Sequence, residues 1–514
     1  MRVAYEALAW GRWVADYEHA WRIVAMADHP ALGTCLDSFH ILSRGSDPSG
    51  IERIPGAKIF FLQLADAPVL GMDVLQWSRH HRCFPGQGGL DVAGLTAHAL
   101  RAGYDGPLSL EVFNDVFRQS PAARTAVDAY RSLVFLEDQV AARLAADPAG
   151  TARDRPVAAP ATVPAAHVPS GFAFAELAVD RVDALDPVLS ALGFERTGVH
   201  RSKPVHLWQQ ATARLLVNAD PAAPWPRLAT LGVETVDPAA SVRRAVALQS
   251  PVLPRQRGHG EARLDAVAAP DGTEVFFCRT DEADPGGWTH DFRPAPYAAP
   301  ARAAGLTRID HVALSQPWQF FDEATLFYRS VLGLEPDDGL EVADPYGLVR
   351  SRAVTTRDGA VRVALNVQPA AYTSDGGTTP TATQHVAFAT DDLRATARTL
   401  RENGAAILRV SANYYDDLEA RHGLDPAFVH DLRTLGLLYD RTDHGEFLQL
   451  FTTSSGQVFF EVVQRIGGYD GYGATNAPFR LAAQHTHNAG WSSDRTGPRT
   501  RPHTTMALCQ GGIP

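Results

Sequence analysis

Residues 3–10 form an apolar run interrupted by Glu6, and a pattern of different period follows it. Tyr17, Trp21, Val24 and Ala25 recur at helical spacing and predict a helix over 17–29, closed by His29-Pro30. The alternation then repeats. Residues 31–42 carry a second strand, Leu32–Asp37, with Ser38, Phe39 and His40 behind it and a Gly/Ser/Pro-rich loop over 43–50. Residues 58–66 carry a third strand with Gln63 near its end, and Ile59–Leu64 within it is a continuous apolar run of the kind a buried parallel strand shows. A long loop over 66–89 and a helix over 90–102 lead to a fourth strand, 107–113, where Leu108 and Leu110 flank Ser109. Glu111 falls near the end of that strand, and a helix over 122–144 follows.

The order strand, helix, strand, helix predicts parallel strands closing toward a barrel, an α/β class in which strand C-termini share one face. On that face Glu6, Asp37, Gln63 and Glu111 would meet. A lone acid at a strand end is ordinarily a solvated charge or a helix cap. Four oxygen ligands on successive strand ends instead suit one hard divalent cation, Mg, Mn or Co. Such an ion polarises a carbonyl and stabilises an enolate, which serves isomerisation, epimerisation or dehydration. His40 lies on the same rim and is a candidate to move the proton. The loop Trp77-Ser78-Arg79-His80-His81-Arg82 adds fixed positive charge for a carboxylate substrate, with Phe84-Pro85-Gly86-Gln87-Gly88 as a rigid turn over the site. Four βα units are half of the eight that a closed (β/α)8 TIM barrel requires. Residues 1–145 are therefore expected to be a partial barrel, from a lost first half or from two half-barrels that associate. A chain that enters directly into a strand favours the first.

Residues 146–170 are Ala/Pro-rich and read as a semi-rigid linker. Beyond it the chain repeats itself. Phe174–Val179 resembles Ile309–Leu314 in pattern, each followed by a helix and a Leu-Gly turn, and Val275–Cys278 matches Val458–Glu461. Duplicated βαβββ units predict α+β modules over 171–300 and 301–482, each with a curved sheet around a cavity. In the second copy the strands carry His311, His385 and Glu461, two imidazoles and a carboxylate that leave open positions on Fe(II) or another divalent ion such as Mg. The first copy has Glu176 and Cys278 instead, so no comparable site is expected there. Gly467–Gly473 lacks the Lys-Ser/Thr ending of a phosphate loop and reads as a turn; residues 483–514 have no apolar period and read as a disordered tail.

Two family resemblances attach to these stretches. Y-E-A-L-A-W-G-R, L-D-S-F-H, F-L-Q-L-A-D, R-H-H-R-C-F-P-G-Q-G and L-S-L-E-V-F-N-D, spread over about 2–145, resemble bacterial 3-dehydroshikimate dehydratase, a xylose-isomerase-like TIM barrel. The resemblance implies Glu6, Asp37, Gln63 and Glu111 as metal ligands. It implies His40, Ser78 and Arg82 as substrate and proton-transfer residues. R-I-D-H-V-A-L, Q-H-V-A-F, L-L-Y-D-R-T-D-H-G-E-F-L-Q-L-F-T and F-F-E-V-V-Q-R-I-G-G-Y resemble 4-hydroxyphenylpyruvate dioxygenase, of the vicinal-oxygen-chelate class. That second likeness spans about 172–480 and implies His311, His385 and Glu461 as metal ligands. It departs at Gly473–Pro478, where the dioxygenases carry their own glycine-rich turn and lid helix.

Composition narrows the reading. A formal charge of −11 over 514 residues and a pI near 5.9 oppose nucleic-acid or anionic-membrane surfaces. No run of 18 apolar residues occurs, and Arg2, Glu6, Arg12 and Asp16 break any signal-peptide pattern. Cys35, Cys83, Cys278 and Cys509 make no C-x-x-C pair, which fits a reduced cytoplasmic setting. The leading expectation is a lyase that dehydrates 3-dehydroshikimate to protocatechuate, with a dioxygenase-like module appended; a homo-oligomer stays open. The alternatives are an Fe(II) oxygenase acting through the second copy, or a non-catalytic metal-binding protein.

Overall fold

In the computed structural model of the chain, the described residues are 1–146, 159–281, 283–284, 286–295, 302–344, 347–367, 371–372, 378–379 and 383–495. The first module sets β1 (Val3–Glu6), β2 (Leu32–Asp37), β3 (Ile59–Leu64) and β4 (Leu108–Leu110) side by side, all parallel. Their connections carry α1 (Tyr17–Ala27), α2 (Ser38–Leu42), α3 (Val74–His80) and α4 (Val92–Arg101), and α5 (Ala122–Ala146) closes the module. β2 and β3 coincide with the expected strand Leu32–Asp37 and apolar run Ile59–Leu64, whereas β1 and β4 are shorter than the runs over 3–10 and 107–113, β1 ending at Glu6 itself. Asp37 stops β2 by capping α2, its Oδ1 accepting from the His40 N–H at 3.0 Å. The stretch expected as one long loop over 66–89 contains α3, started by Asp73, whose carboxylate accepts from Leu75 N–H and Gln76 N–H. Trp77 and Ser78 therefore sit on a helix. One core, with Leu36, Leu62, Leu64, Leu95 and Leu136, lies between sheet and helices.

The second module is a mixed eight-stranded sheet. It comprises β5 (Phe172–Val179), α6 (Asp186–Ala191), β6 (Glu195–His200), β7 (Val205–Gln210), β8 (Ala213–Ala219) and β9 (Arg227–Glu234). Next come α7 (Pro238–Ala247), β10 (Ala266–Ala268), β11 (Glu274–Cys278) and β12 (Phe292–Pro294). Strand order is β10-β11-β9-β5-β8-β7-β6-β12, with β5 antiparallel to β9 and parallel to β8.

The third module repeats this plan. β13 (Leu306–Ser315) and α8 (Phe321–Leu332) lead into β14 (Glu335–Pro336), β15 (Leu340–Asp344), β16 (Gly347–Thr355) and β17 (Arg362–Val367). A small ribbon, β18 (Ala371–Tyr372) with β19 (Thr378–Thr379), precedes β20 (Gln384–Thr390), α9 (Leu393–Glu402), α10 (Ala412–His422) and α11 (Pro426–Leu435). β21 (Leu438–Thr442), β22 (Gly445–Phe451), β23 (Val458–Gly467) and α12 (Ala477–Arg495) complete it. β13 lies antiparallel to β20 and parallel to β17, matching β5 against β9 and β8. The repeat is nested: each module holds two βα-led units, so the duplication seen in sequence is itself of doubled units. The expected tail is corrected in part, since residues up to Arg495 continue α12, which packs on β15 through Leu481 and Val342. Residues 496–514, including His503, lie outside the described residues, as do 147–158 of the linker.

The modules share surfaces. α5 turns Leu136, Val140 and Leu144 toward the first core and Phe135 toward a core that runs through both later modules. The turn over 84–88 is pinned from two sides. Asp66 accepts from the N–H groups of Ala67, Gly86, Gly88 and Leu90, and Arg329 Nη1 donates to Gly86 O at 2.8 Å. Gly86 has φ +90°, and a Cβ there would press on Leu326 at 3.1 Å and Phe135 at 3.3 Å, so glycine is required. β16 alternates its duties: Arg352 donates to Gln87 O at 3.3 Å, while Val349, Ser351 and Ala353 line a cavity on the other face.

Candidate active site

The parallel register carries Glu6, Asp37, Gln63 and Glu111 to one end of the first sheet: Glu6 pairs with Cys35, Asp37 with Gln63, and Gln63 with Ser109. Glu111 follows β4 directly, its N–H bonded to Leu64 O at 3.1 Å. Arg82 stands among them. Its Nη1 donates to Asp37 Oδ2 at 2.9 Å and Glu111 Oε2 at 3.1 Å, and its Nη2 lies 3.2 Å from His40 Nε2. Ser78 Oγ accepts from Arg82 Nε and Nη2 at 3.1 and 2.9 Å. His40 completes the cluster, with Nε2 3.6 Å from Glu6 Oε1 and 4.0 Å from Asp37 Oδ2, and Nδ1 accepting from Ala9 N–H.

The electrostatics follow from crowding acids under cover. Burial, then the charges of Asp37 and Glu111, push the Glu6 carboxyl up to about 7. Glu111 is also raised, by burial and by its hydrogen bond with Asp37. His40 is pushed down to about 4, chiefly by burial and further by Arg82, against the pull of Asp37. Glu6 Oε1 is buried without a hydrogen-bond partner among the described residues. Three carboxylates held together, one with an orphaned buried oxygen, have more acceptor capacity than one guanidinium fills, so the donor set fits a hard divalent ion. One ligand atom each from Glu6, Asp37 and His40 already lies within 4.8 Å of the others.

Three expectations need revision at this site. Arg82 is not an open clamp: it is 1% exposed and its guanidinium is committed to Asp37, Glu111, Ser78 and His40, with Phe39 4.6 Å from Cζ. Ser78, expected as a substrate or proton-transfer residue, is fully buried on α3 and holds Arg82. Gln63 turns its Nε2 to Glu111 Oε1 at 2.9 Å, while its Oε1 faces Cys35 Sγ at 3.0 Å, because a donor is preferred among carboxylates. His80 pairs with Asp115 at the surface, away from the cluster. Sequence reasoning gave no role to Trp10, edge-on to His40 at 4.8 Å, or to Asp66, which anchors the loop behind Arg82, although both fall within the quoted motifs Y-E-A-L-A-W-G-R and F-L-Q-L-A-D.

The third module brings its three predicted ligands together more tightly. His311 Nε2 lies 3.2 Å from Glu461 Oε2, His385 Nε2 lies 3.1 Å from it, and the two Nε2 atoms are 3.3 Å apart. Atoms bound at right angles about 2.1 Å from one ion sit about 3 Å apart, so the triad fits a divalent metal on one face. Two of the three ligands, His311 and Glu461, are braced from behind. His311 Nδ1 meets Asp310 Oδ1 at 2.9 Å and Arg465 Nη2 holds Asp310 at 2.8 Å; the bond to His311, then that to Arg465, keeps the Asp310 carboxyl far below the ordinary range despite burial. Gln449 Nε2 donates to Glu461 Oε1 at 2.9 Å, and Asn476 and Tyr414 extend the chain of bonds. Gly473, φ +59°, passes over Gln449 so closely that any Cβ would meet Oε1. In the second module Glu176 bonds Asn218, and Cys278 packs in an apolar cluster with Phe174, Phe276 and Trp288; no metal-ligating trio occurs there among the described residues.

Comparison with known proteins agrees with this layout. Residues 1–133 match the xylose isomerase-like TIM barrel family, 166–277 the N-terminal hydroxyphenylpyruvate dioxygenase family, and 308–427 the glyoxalase/bleomycin resistance protein/dioxygenase superfamily. The chain is 40% identical over 515 residues to 3-dehydroshikimate dehydratase of Pseudomonas putida, covering 95% of this chain and 79% of that protein. It is 42% identical over 499 residues to the Pseudomonas aeruginosa enzyme of that name, covering 94% and 78%. A solved xylose isomerase-like TIM barrel/4-hydroxyphenylpyruvate dioxygenase fusion protein matches with a TM-score of 0.84 at 39% identity, over 95% of this chain and 79% of that one. Fold and site thus define a TIM-barrel enzyme fused to a dioxygenase-like vicinal-oxygen-chelate domain. Within that class the chain belongs to the 3-dehydroshikimate dehydratase family.

Proposed function

We propose that this chain is a metal-dependent lyase that removes water from 3-dehydroshikimate and yields protocatechuate. The observation that carries the reading is the meeting of Glu6, Asp37, Glu111 and His40 at one end of the parallel sheet, in a chain about 40% identical to curated dehydratases. We take the four βα units as part of an eightfold barrel, a view supported by the parallel order β1 to β4. A divalent ion (Mg, Mn or Co) bound by Glu6, Asp37, Gln63 and Glu111 would polarise the substrate carbonyl and stabilise the enolate. Gln63 would join that set by turning its amide over.

His40 is kept neutral by burial, and its Nε2 would take the proton beside the carbonyl in the ring tautomer that carries its hydrogen on Nδ1, which gives up the contact with Ala9 N–H. That proton and the departing hydroxide make one water, and enolisation of the remaining ketone aromatises the ring. Arg82 holds Asp37 and Glu111 in place, and Ser78 holds Arg82. The third module supports a second divalent site, Fe or Mg, at His311, His385 and Glu461. We place the protein in the cytoplasm with small-molecule partners and leave room for a homo-oligomer; no helix among the described residues is long and apolar enough to cross a membrane. Glu111→Ala tests the assignment through the ultraviolet absorbance of the catechol product. Product formation should fall at least about a hundredfold with the melting temperature retained. A variant that turns over like the parent overturns the ligand assignment.

A further inference from the structure

The third module's metal triad opens into a cavity of about 110 Å³ with apolar walls that include Leu340, Val349, Phe451 and Ala477. A cavity near that size class accepts a single aromatic ring. Two polar groups on its wall have no hydrogen-bond partner among the described residues. Arg480 Nη1, in the first turn of α12, is buried and makes no hydrogen bond or ion pair among the described residues, and Tyr472 Oη is likewise buried and unbonded. Buried donors left open in this way mark a missing partner. The other acids on or near the wall are already committed: Asp337 accepts from Gly339 N–H and Ala353 N–H, and Asp344 pairs with His485. Glu461 faces the two histidines and Gln449. Arg480 stacks with Cζ 4.9 Å from the Phe459 ring, which fixes the guanidinium as a planar fork beside the triad.

We propose that Arg480 is the anchor for the carboxylate of a single-ring organic acid, whose opposite edge presents vicinal oxygens to the metal at His311, His385 and Glu461. A divalent ion set against one carboxylate, with Arg480 beside it, leaves the cavity positive, so the occupant is an anion. The ring stacks on apolar wall and Tyr472 supplies a second donor. The barrel's reaction makes a member of this class, because dehydration and enolisation leave a ring with one carboxylate and two adjacent hydroxyls. Only this choice of occupant rests on the lyase reading; the class itself follows from the cavity. The third module is then a receiving site for the barrel's own product or an acid shaped like it.

The test uses the full chain with Glu111→Ala to disable the barrel, loaded with Co(II) and titrated calorimetrically with 3,4-dihydroxybenzoate and, separately, with unsubstituted catechol. Arg480→Leu should weaken the acid at least about tenfold and shift catechol less than about threefold, with Co(II) content and melting temperature unchanged. Arg480→Lys should recover part of the loss, and Tyr472→Phe should weaken both probes. Equal affinity for the acid in parent and Arg480→Leu overturns the proposal, as does a parallel loss for both probes or no acid binding to the barrel-disabled chain. Arg480→Leu in the otherwise intact chain should keep its lyase rate, and that rate reports on the barrel reading separately.

Discussion

His40 is where the chemistry of a single residue can be weighed. Its Nδ1 accepts from Ala9 N–H, and its Nε2 faces Glu6, Asp37 and Arg82, so Nε2 is the nitrogen on the cluster side and acts as a base only when the ring hydrogen sits on Nδ1. His40→Gln keeps a polar group of similar size but cannot cycle a proton. We expect kcat to fall by about 10² to 10⁴ with the melting temperature little changed; a rate within threefold of the parent would remove His40 from the reaction. The sequence made His40, Asp37 and Glu111 legible because each sits at a fixed place relative to a strand end. It could not show that Arg82 is buried, since a charge in an R-H-H-R run looks the same whether it meets solvent or three acceptors. Arg480 was invisible for a related reason: an unpartnered donor is a property of its surroundings, and its own helix begins where the apolar period fades.

Among the elements, the turn over 84–88 shows how a loop can be held as firmly as a strand. Asp66 gathers four backbone N–H groups, and a carboxylate can do this because both oxygens accept. Asp66→Asn replaces one acceptor oxygen with a donor and leaves the turn's amides facing it. The expected outcome is a melting temperature lower by several degrees and a lower lyase rate, since Arg82 leads into this turn; unchanged values for both would show the turn to be held from the other side. Strand positions were legible from apolar runs, and so were the ends of β2 and β3, while β1 and β4 stop short of their runs. Asp73 began a helix in a stretch whose Gly and Pro content reads as loop. The nested repeat escaped notice because βα-led units within one module share topology and little sequence.

For the molecule as a whole, two buried carboxyls near the junction between modules set a pH response. Asp128 is pushed up to about 7 by burial and by Glu323, partly offset by Arg131 and Gln87, and Asp66 to about 6 by burial against its four amides. The ordinary value is 3.8, so the folded chain keeps protons that the unfolded chain releases above about pH 4. Folding then takes up protons, and stability declines as the pH rises from about 4 to about 7. Thermal melts at pH 5 and pH 8 should show the higher midpoint at pH 5, and Asp128→Asn should narrow the gap; equal slopes in parent and variant would show that other groups govern it. The junction was beyond the sequence, because the partners of Arg329, Arg352 and Arg131 lie more than a hundred positions away.

β16 serves two masters, with Arg352 gripping the turn behind the barrel cluster and Val349, Ser351 and Ala353 walling the distant cavity. Side chains in a strand alternate, so a slip of one position would exchange the two faces and spoil both places together. Mutational drift in one half is thereby felt in the other. Grafting either half onto a foreign companion would require inheriting this strand intact, and the two halves should travel through descent as a unit.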